Sequence, residues 1–199
     1  MILASGSPQR RAILEQLGAA FEVVVPDVDE LTAGPPEELV LENAFRKASA
    51  VATGLVPPVR PHQSGGDAGA AVLGVDTIVA LGPKVYGKPA DREDAAATLR
   101  ALGGRSHRVL SGVCVIEDGR ARTATAVTTV NFRPLGEHVL AWYLATDEWR
   151  GRAGGYAIQG RGAALVGSID GDYLNVVGLP VATLLDLLPS LLFPALSLQ

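Results

Sequence analysis

Cysteine is almost missing from this sequence: Cys114 stands alone among 199 residues, inside the apolar run Gly112-Val113-Cys114-Val115-Ile116. That excludes an internal disulfide and a cysteine-built zinc site, and it points to a reducing, cytoplasmic compartment. Histidine is scarce too. His62, His107 and His138 are far apart, so a histidine metal cluster is not expected. Positive charge has no excess, with 17 Lys plus Arg against 21 Asp plus Glu and a net charge of −4. Such a balance leaves no footprint for gripping a nucleic-acid polymer by its backbone. Long apolar runs are also lacking. The most apolar stretch, Leu179 to Leu192, is broken by Pro180, Asp186 and Pro189 and falls short of the ~20 residues a membrane span needs. It is expected to pack as a terminal helix, and no membrane partner is expected. The opening Met1-Ile2-Leu3-Ala4-Ser5-Gly6-Ser7-Pro8 carries no basic leader and is expected to enter structure at once rather than act as a secretion signal.

What is present is an apolar fraction of 48% with 19% charged residues, enough for one globular domain over 1–199 and too little length for two independent cores. Hydrophobic periodicity predicts a strand at Ile2–Ala4 and a helix over Pro8–Leu17, with Ser7 as its N-cap and Pro8 at its first position. A strand over Phe21–Val25 and a helix over Glu37–Ala52 follow. Residues 54–71 are dense in Pro and Gly and predict a long surface loop. Val72–Val75 reads as a strand running into Asp76-Thr77, with the apolar pattern resuming over Ile78–Leu81. Asp91–Leu102 is predicted as a helix. His107–Ile116 and Ala121–Phe132 should pair as a hairpin across Asp118-Gly119. A helix over Glu137–Ala145, a strand over Ala163–Ile169, a hairpin turn at Asp170-Gly171-Asp172 and a helix over Val181–Leu188 complete the pattern. Hairpins interrupt the alternation of helix and strand, so the predicted class is α/β with a mixed sheet (mixed α+β).

Several segments could carry chemistry. Ser5-Gly6-Ser7-Pro8-Gln9-Arg10-Arg11 is a glycine turn opening a helix, where amides and the positive helix end favour an anion. It matches neither a P-loop nor the dinucleotide glycine pattern. Lys88, between Gly87 and Pro89, is a loop cation able to reach a phosphate, whereas the periodicity puts Lys47 on the wet face of its helix. Asp76 is expected at the C-terminal end of a strand, where open α/β sheets form ligand crevices. A carboxylate there could accept a proton from water or bind a divalent cation. Asp29 and Glu30 read as a solvated turn that could add a hard oxygen ligand. The run Gly154-Gly155-Tyr156-Ala157-Ile158-Gln159-Gly160-Arg161-Gly162 suggests backbone close to a ligand, or else a structural turn. Asp170-Gly171-Asp172-Tyr173 lacks the later ligands of a calcium loop. Ser5 and Ser7 have no neighbouring His and no Gly-x-Ser-x-Gly elbow exists, so a serine hydrolase fits poorly.

In their order along the chain these pieces resemble the Maf family of nucleoside triphosphate pyrophosphatases, from Leu3 to Leu188. The resemblance rests on Leu3-Ala4-Ser5-Gly6-Ser7-Pro8 with Arg10, Val28-Asp29-Glu30, Lys47-Ala48 and Gly74-Val75-Asp76-Thr77. It continues through Gly87-Lys88-Pro89, Gly104-Arg105-Ser106-His107-Arg108-Val109, Ala153 to Gly160 and Val177-Gly178-Leu179-Pro180. It implies an elongated mixed β-sheet flanked by helices that form two lobes around a cleft, similar to the inosine triphosphatase-like (Maf/Ham) fold. It also implies a cytoplasmic homodimer that hydrolyses the α–β bond of a nucleoside triphosphate with a divalent cation, Mg²⁺ or Mn²⁺, giving the monophosphate and pyrophosphate.

Residue by residue, the resemblance puts the proton-accepting aspartate on Asp76 and phosphate binding on Ser7, Arg10, Lys47 and Lys88, with the turn amides from Ser5 to Ser7 beside them. Substrate choice falls on Gln9, Thr77 and Gln159, the last two matching the branch that prefers dTTP and UTP. Glu30 is the expected second metal ligand beside Asp76. One departure stands out: most members of that branch carry Arg where this chain has Gln9. Arg11 leaves the helix about 200° round from Gln9, so it is not expected to substitute. The competing reading is a non-catalytic nucleotide- or partner-binding regulator of septum formation and cell division.

Overall fold

The computed structural model describes residues 1–54 and 70–193. Apart from its ends, the loop expected over 54–71 lies outside the described residues, as does His62. The described strands are β1 (Ile2–Ala4), β2 (Glu22–Val23), β3 (Val72–Leu81), β4 (Lys84–Tyr86), β5 (Ser106–Glu117), β6 (Arg120–Phe132) and β7 (Val166–Asp170). They form one mixed sheet in the order β2-β1-β3-β5-β6-β7, with β4 also paired to β3. The helices are α1 (Pro8–Gln16), α2 (Pro36–Ala52), α3 (Arg92–Leu102), α4 (Glu137–Leu144), α5 (Tyr173–Val177) and α6 (Val181–Leu187). The mixed α/β class expected from the pattern is what the chain adopts.

The β5–β6 hairpin forms as predicted. Asp118 and Gly119 both take positive φ (50° and 73°), the two-residue turn whose twist matches antiparallel strands. β3 is the pivotal strand. One edge pairs antiparallel with β5 from Val72 to Ala80. The other edge is shared: β1 runs parallel to it over Val72–Gly74, and β4 pairs antiparallel over Val79–Leu81. Between these two neighbours, residues 75–78 have no strand on that edge among the described residues.

Side chains alternate across β3, so Gly74, Asp76, Ile78 and Ala80 face one way and Leu73, Val75, Thr77 and Val79 the other. The first face is covered by α2, which can come close because the sheet beneath it is glycine. A Cβ on Gly74 would overlap the Ala44 carbonyl and stand 2.8 Å from the Ala48 amide nitrogen, and one on Gly112 would overlap the Val40 carbonyl. The second face carries two apolar cores. One joins α1 and α6 to the sheet through Leu14, Leu73, Val113 and Leu184. The other gathers Leu99, Phe132, Leu140, Tyr143 and Trp149 beneath α3 and α4. Polar Thr77 and Ser111, cross-strand partners, mark the seam between them. These are the two lobes, and the cleft opens at the seam.

Several expectations are corrected. The strand expected over Phe21–Val25 pairs only at Glu22–Val23. The strand expected from Ala163 begins at Val166, because Arg161–Leu165 coils into a 3₁₀ turn in which Gly162 lies against the Ala157 backbone. Asp170–Asp172 is not a hairpin turn. It leads from β7 into α5, with the Asp172 carboxylate capping the Leu174 amide at 2.7 Å. The terminal segment divides into α6 and a 3₁₀ turn at Pro189–Leu191, since Pro189 cannot continue the helix.

Candidate active site

A cleft of about 710 Å³ opens where β3 lacks a neighbour, a size typical of small-molecule sites. The sequence places Asp76 at a strand end, but it lies in the middle of β3, paired across to Gly112. It still reaches the cleft because β1 stops two residues short of it. Asp76 is 6% exposed and both carboxylate oxygens are engaged: Lys47 Nζ donates to Oδ1 at 2.7 Å and Asn43 Nδ2 donates to Oδ2 at 3.0 Å. A buried carboxylate is tolerable only with such partners.

Lys47 is not on the wet face of α2. It is 7% exposed and stands between two acids, since Glu30 Oε1 also lies 2.7 Å from its Nζ. The apolar face of α2 includes it because the glycine floor draws the helix down, leaving the long stem buried and the ammonium at the cleft. Asn43, one turn before Lys47 on that face, went unnoticed in the sequence. Besides Asp76 it holds the loop before α2, accepting from the Leu31 amide at 2.8 Å and donating to the Leu31 carbonyl at 3.0 Å. Those two bonds place Glu30 against Lys47. An asparagine flanked by Val40 and Ala44 at four-residue spacing from a lysine was the available signal. Asp29 contributes only its carbonyl, to Arg46.

On the other face of β3, Arg10 enters from α1 and is 8% exposed. Its Nε donates to the Gly178 carbonyl (2.9 Å), Nη1 to Ser5 Oγ (2.9 Å) and Nη2 to Thr77 Oγ1 (3.1 Å). Thr77 Oγ1 also lies 2.8 Å from Ser111 Oγ. All these partners are neutral. Among the described residues no carboxylate reaches ion-pair distance of Arg10, so its charge is buried without a direct counterion. Burial lowers its pKa from the ordinary guanidinium value, while Asp76 and Glu30 act from a distance in the opposite direction. Ser111 and the Gly178 carbonyl are further supports that residue type alone did not disclose.

Ser7 occupies the N-cap position of α1 but does not cap it with its side chain, a correction to the expected amide bond. Its hydroxyl instead donates to Gln9 Oε1 at 3.2 Å, and its amide donates to Ser5 Oγ. Gln9, Lys88 and Gln159 all line the cleft, together with Arg152, which the sequence reading passed over. Arg11 does not line it and pairs with Glu15 at 2.7 Å on the exposed side of α1. The glycines after Arg152 serve packing between protein segments rather than approach to a ligand. A Cβ on Gly154 would meet Val79 at 2.7 Å, and one on Gly155 would meet Pro89 at 3.1 Å. His107 is buried beneath the cleft, with Nε2 2.9 Å from the Tyr156 hydroxyl. Cys114 is sealed in the sheet with its thiol pushed up to about 11, so it is not a nucleophile.

Two acids, a lysine and an isolated arginine at one cleft suit a polyanion and a hard cation. Glu30 and Asp76 present oxygens to one point, now held by the Lys47 ammonium. Two carboxylates are what magnesium ordinarily takes from a protein when phosphates and water complete its shell, so the donor set fits a divalent cation. Among the described residues no group of three or more His, Cys, Asp or Glu forms a metal centre by itself. Also among them, no helix is long and apolar enough to cross a membrane.

The fold and this site define a class that comparison with known proteins identifies. A family model described as Maf-like protein matches residues 1–191, and the chain belongs to that family. It is 46% identical over 196 residues to a protein of Symbiobacterium thermophilum named dTTP/UTP pyrophosphatase, covering 98% of this chain and 95% of that protein. Proteins of the same name from Pelotomaculum thermopropionicum and Pyrococcus furiosus are 45% and 38% identical over 192 residues, each covering 94% of this chain and 94% and 93% of their own lengths.

Proposed function

We propose that this protein is a nucleoside triphosphate pyrophosphatase that hydrolyses dTTP and UTP between the α and β phosphates, releasing the monophosphate and pyrophosphate. The observation that carries the reading is the pairing of buried Asp76 with Lys47 and Asn43 in a cleft that also contains buried Arg10, which has no counterion among the described residues. The names and near-complete overlap of the relatives support the substrate pair.

In this reading a water attacks the α-phosphorus in line with the departing pyrophosphate. Asp76 accepts the water's proton, or orients that water as a ligand, and Asn43 holds the carboxylate in the required position. Arg10 and Lys47 offset negative charge on the polyphosphate as the bond breaks, the largest kind of contribution an enzyme makes to phosphoryl transfer. Lys47 exchanges its carboxylate partners for phosphate oxygens. Ser5, Ser7 and the first-turn amides of α1, which have no partner within the helix, hold further oxygens. Glu30 and Asp76 would hold a divalent cation, Mg²⁺ or Mn²⁺, which when bound supplies Lewis-acid polarisation and charge neutralisation. Lys88 extends the positive lining, and Gln9, Thr77 and Gln159 set the nucleotide preference. Residues 1–199 form a single catalytic domain, and the resemblance adds self-association into homodimers and a cytoplasmic location, in keeping with the buried thiol.

The test is a panel of triphosphates incubated with Mg²⁺ or Mn²⁺, with products separated. Monophosphate and pyrophosphate in equal amounts, formed fastest from dTTP and UTP, are expected. Orthophosphate as the first product would mean a phosphatase. Binding without turnover of any triphosphate would favour the non-catalytic regulator.

A further inference from the structure

Among the described residues four cations line the cleft: Arg10, Lys47, Lys88 and Arg152. Two of them are already committed. Lys47 is neutralised by Asp76 and Glu30, and every nitrogen of Arg10 donates to a protein oxygen. Lys88 and Arg152 are different, because among the described residues neither has a carboxylate at ion-pair distance. Arg152 goes further. Its Nε is shielded from solvent, yet no acceptor of the described residues reaches it. Burial lowers the pKa of this guanidinium, and Tyr143 and Glu148 act on it in the opposite sense. The Glu148 carboxylate, however, accepts from the Arg161 amide at 2.7 Å and makes no ion pair with Arg152. A shielded guanidinium nitrogen without an acceptor is costly to the free protein, and an anionic ligand would relieve that cost.

The loops that carry Lys88 and Arg152 are fastened together. The Gly154 amide donates to the Gly87 carbonyl at 3.0 Å, one residue before Lys88 and two residues after Arg152. Gly151, Gly154 and Gly155 take φ of 67°, 69° and 70°, conformations that suit glycine. Gly154 also sits against Val79, three residues beyond Asp76 on β3. Two charges without an ion pair among the described residues therefore share one wall of the cleft, on the β4 side of Asp76, while Lys47 is bound to the reacting carboxylate and Arg10 to Ser5, Thr77 and Gly178.

We propose that Arg152, with Lys88, grips the β and γ phosphates, and so forms the part of the site that holds the departing pyrophosphate. This rests on the pyrophosphatase reading above. The guanidinium fork suits two oxygens of neighbouring phosphates, which a lysine would meet only as a point charge. Arg152 is thus a binding residue for the leaving group and has no part in recognising the nucleoside.

Inhibition of UTP hydrolysis by each product separates these ends of the substrate. In Arg152→Gln, pyrophosphate should bind on the order of 10-fold more weakly or worse, and the KM for UTP should rise similarly, while UMP inhibition stays within about twofold. Arg152→Lys, which keeps the charge and loses the fork, should fall between Gln and the unaltered protein. Pyrophosphate inhibition unchanged in both variants would overturn the proposal, as would equal weakening of UMP and pyrophosphate. Calorimetric titration of pyrophosphate gives the same comparison without turnover. If Arg152→Gln fails to fold, the Lys variant alone decides, by losing affinity for pyrophosphate and none for UMP. Should the unaltered protein release orthophosphate from UTP, the functional reading fails, and the pyrophosphate titration still judges Arg152.

Discussion

Gly112 lies so close to Val40 that a β-carbon on the glycine would overlap the carbonyl of its neighbour on α2, and would stand 2.7 Å from the Leu41 amide nitrogen. Gly112 is also the cross-strand partner of Asp76. The same glycine therefore sets the height of α2 and stands beside the acid that α2 must reach.

Gly112→Ala should lift α2 from the sheet and stretch the Asn43 and Lys47 contacts to Asp76, although residue 112 touches no substrate. Overpacking of this kind costs roughly 1–3 kcal/mol. A lowered midpoint of thermal unfolding and at least a tenfold loss of kcat are expected together. Retention of full kcat would show that helix height does not govern the acid.

Asp76→Asn should keep the fold and lose most turnover, on the order of 100-fold or more, because an amide neither accepts the proton nor ligates a cation well. Asn43→Ala should act more mildly on kcat and more strongly on stability. It leaves the Leu31 amide and carbonyl without their partner, a cost of about 1–3 kcal/mol. Steady-state kinetics beside thermal melts separates the two, and a fully active Asp76→Asn protein would remove Asp76 from the mechanism.

At position 9 the side chain is a neutral amide held by Ser7, and Arg11 is occupied by Glu15. Gln9→Arg restores a cation at the cleft. The ratio of kcat/KM for dTTP and UTP over purine triphosphates should increase. An unaltered profile across the panel would show that this position does not select the base.

His107 is held neutral by burial, its pKa pushed down to about 4 from 6.5. Between those values the unfolded chain takes up a proton that the native state refuses, so native stability falls as pH drops from 6.5 towards 4. The loss from this residue is on the order of 3 kcal/mol. His107→Phe should lower the unfolding midpoint near neutral pH, since the Tyr156 hydroxyl loses its partner. Over that window, the variant should lose less stability than the unaltered protein. Parallel curves would mean that His107 does not titrate as described.

Most of the secondary structure could be read from the sequence, because it depends on local pattern: Pro8 opening α1, Asp91 capping α3 through the Asp94 amide, and Asp118-Gly119 closing the long hairpin. Asp76 was identifiable as a carboxylate at the end of an apolar run, though not as a mid-strand residue. The end of β1 is a fact about a different segment, and no local signal on β3 reports it. Lys47 was misplaced for a similar reason. Helical periodicity measures where apolar residues cluster, whereas this lysine is buried through glycines on two distant strands. Asn43 and Arg152 owe their places to what they lack or gain across the fold, a backbone to hold in one case and, among the described residues, an absent counterion in the other. Periodicity contains no such information.

β3 is gripped along one side by β5 without interruption and along the other only at its two ends. Asp76, the base proposed above, is consequently anchored by that ladder, while most of the pieces framing the opening belong to separate stretches of chain. Such a layout lets the rim be rewritten, by exchange of residues or loop lengths, with the reaction centre undisturbed. A scaffold of this kind is well suited to redesign toward other activated anions.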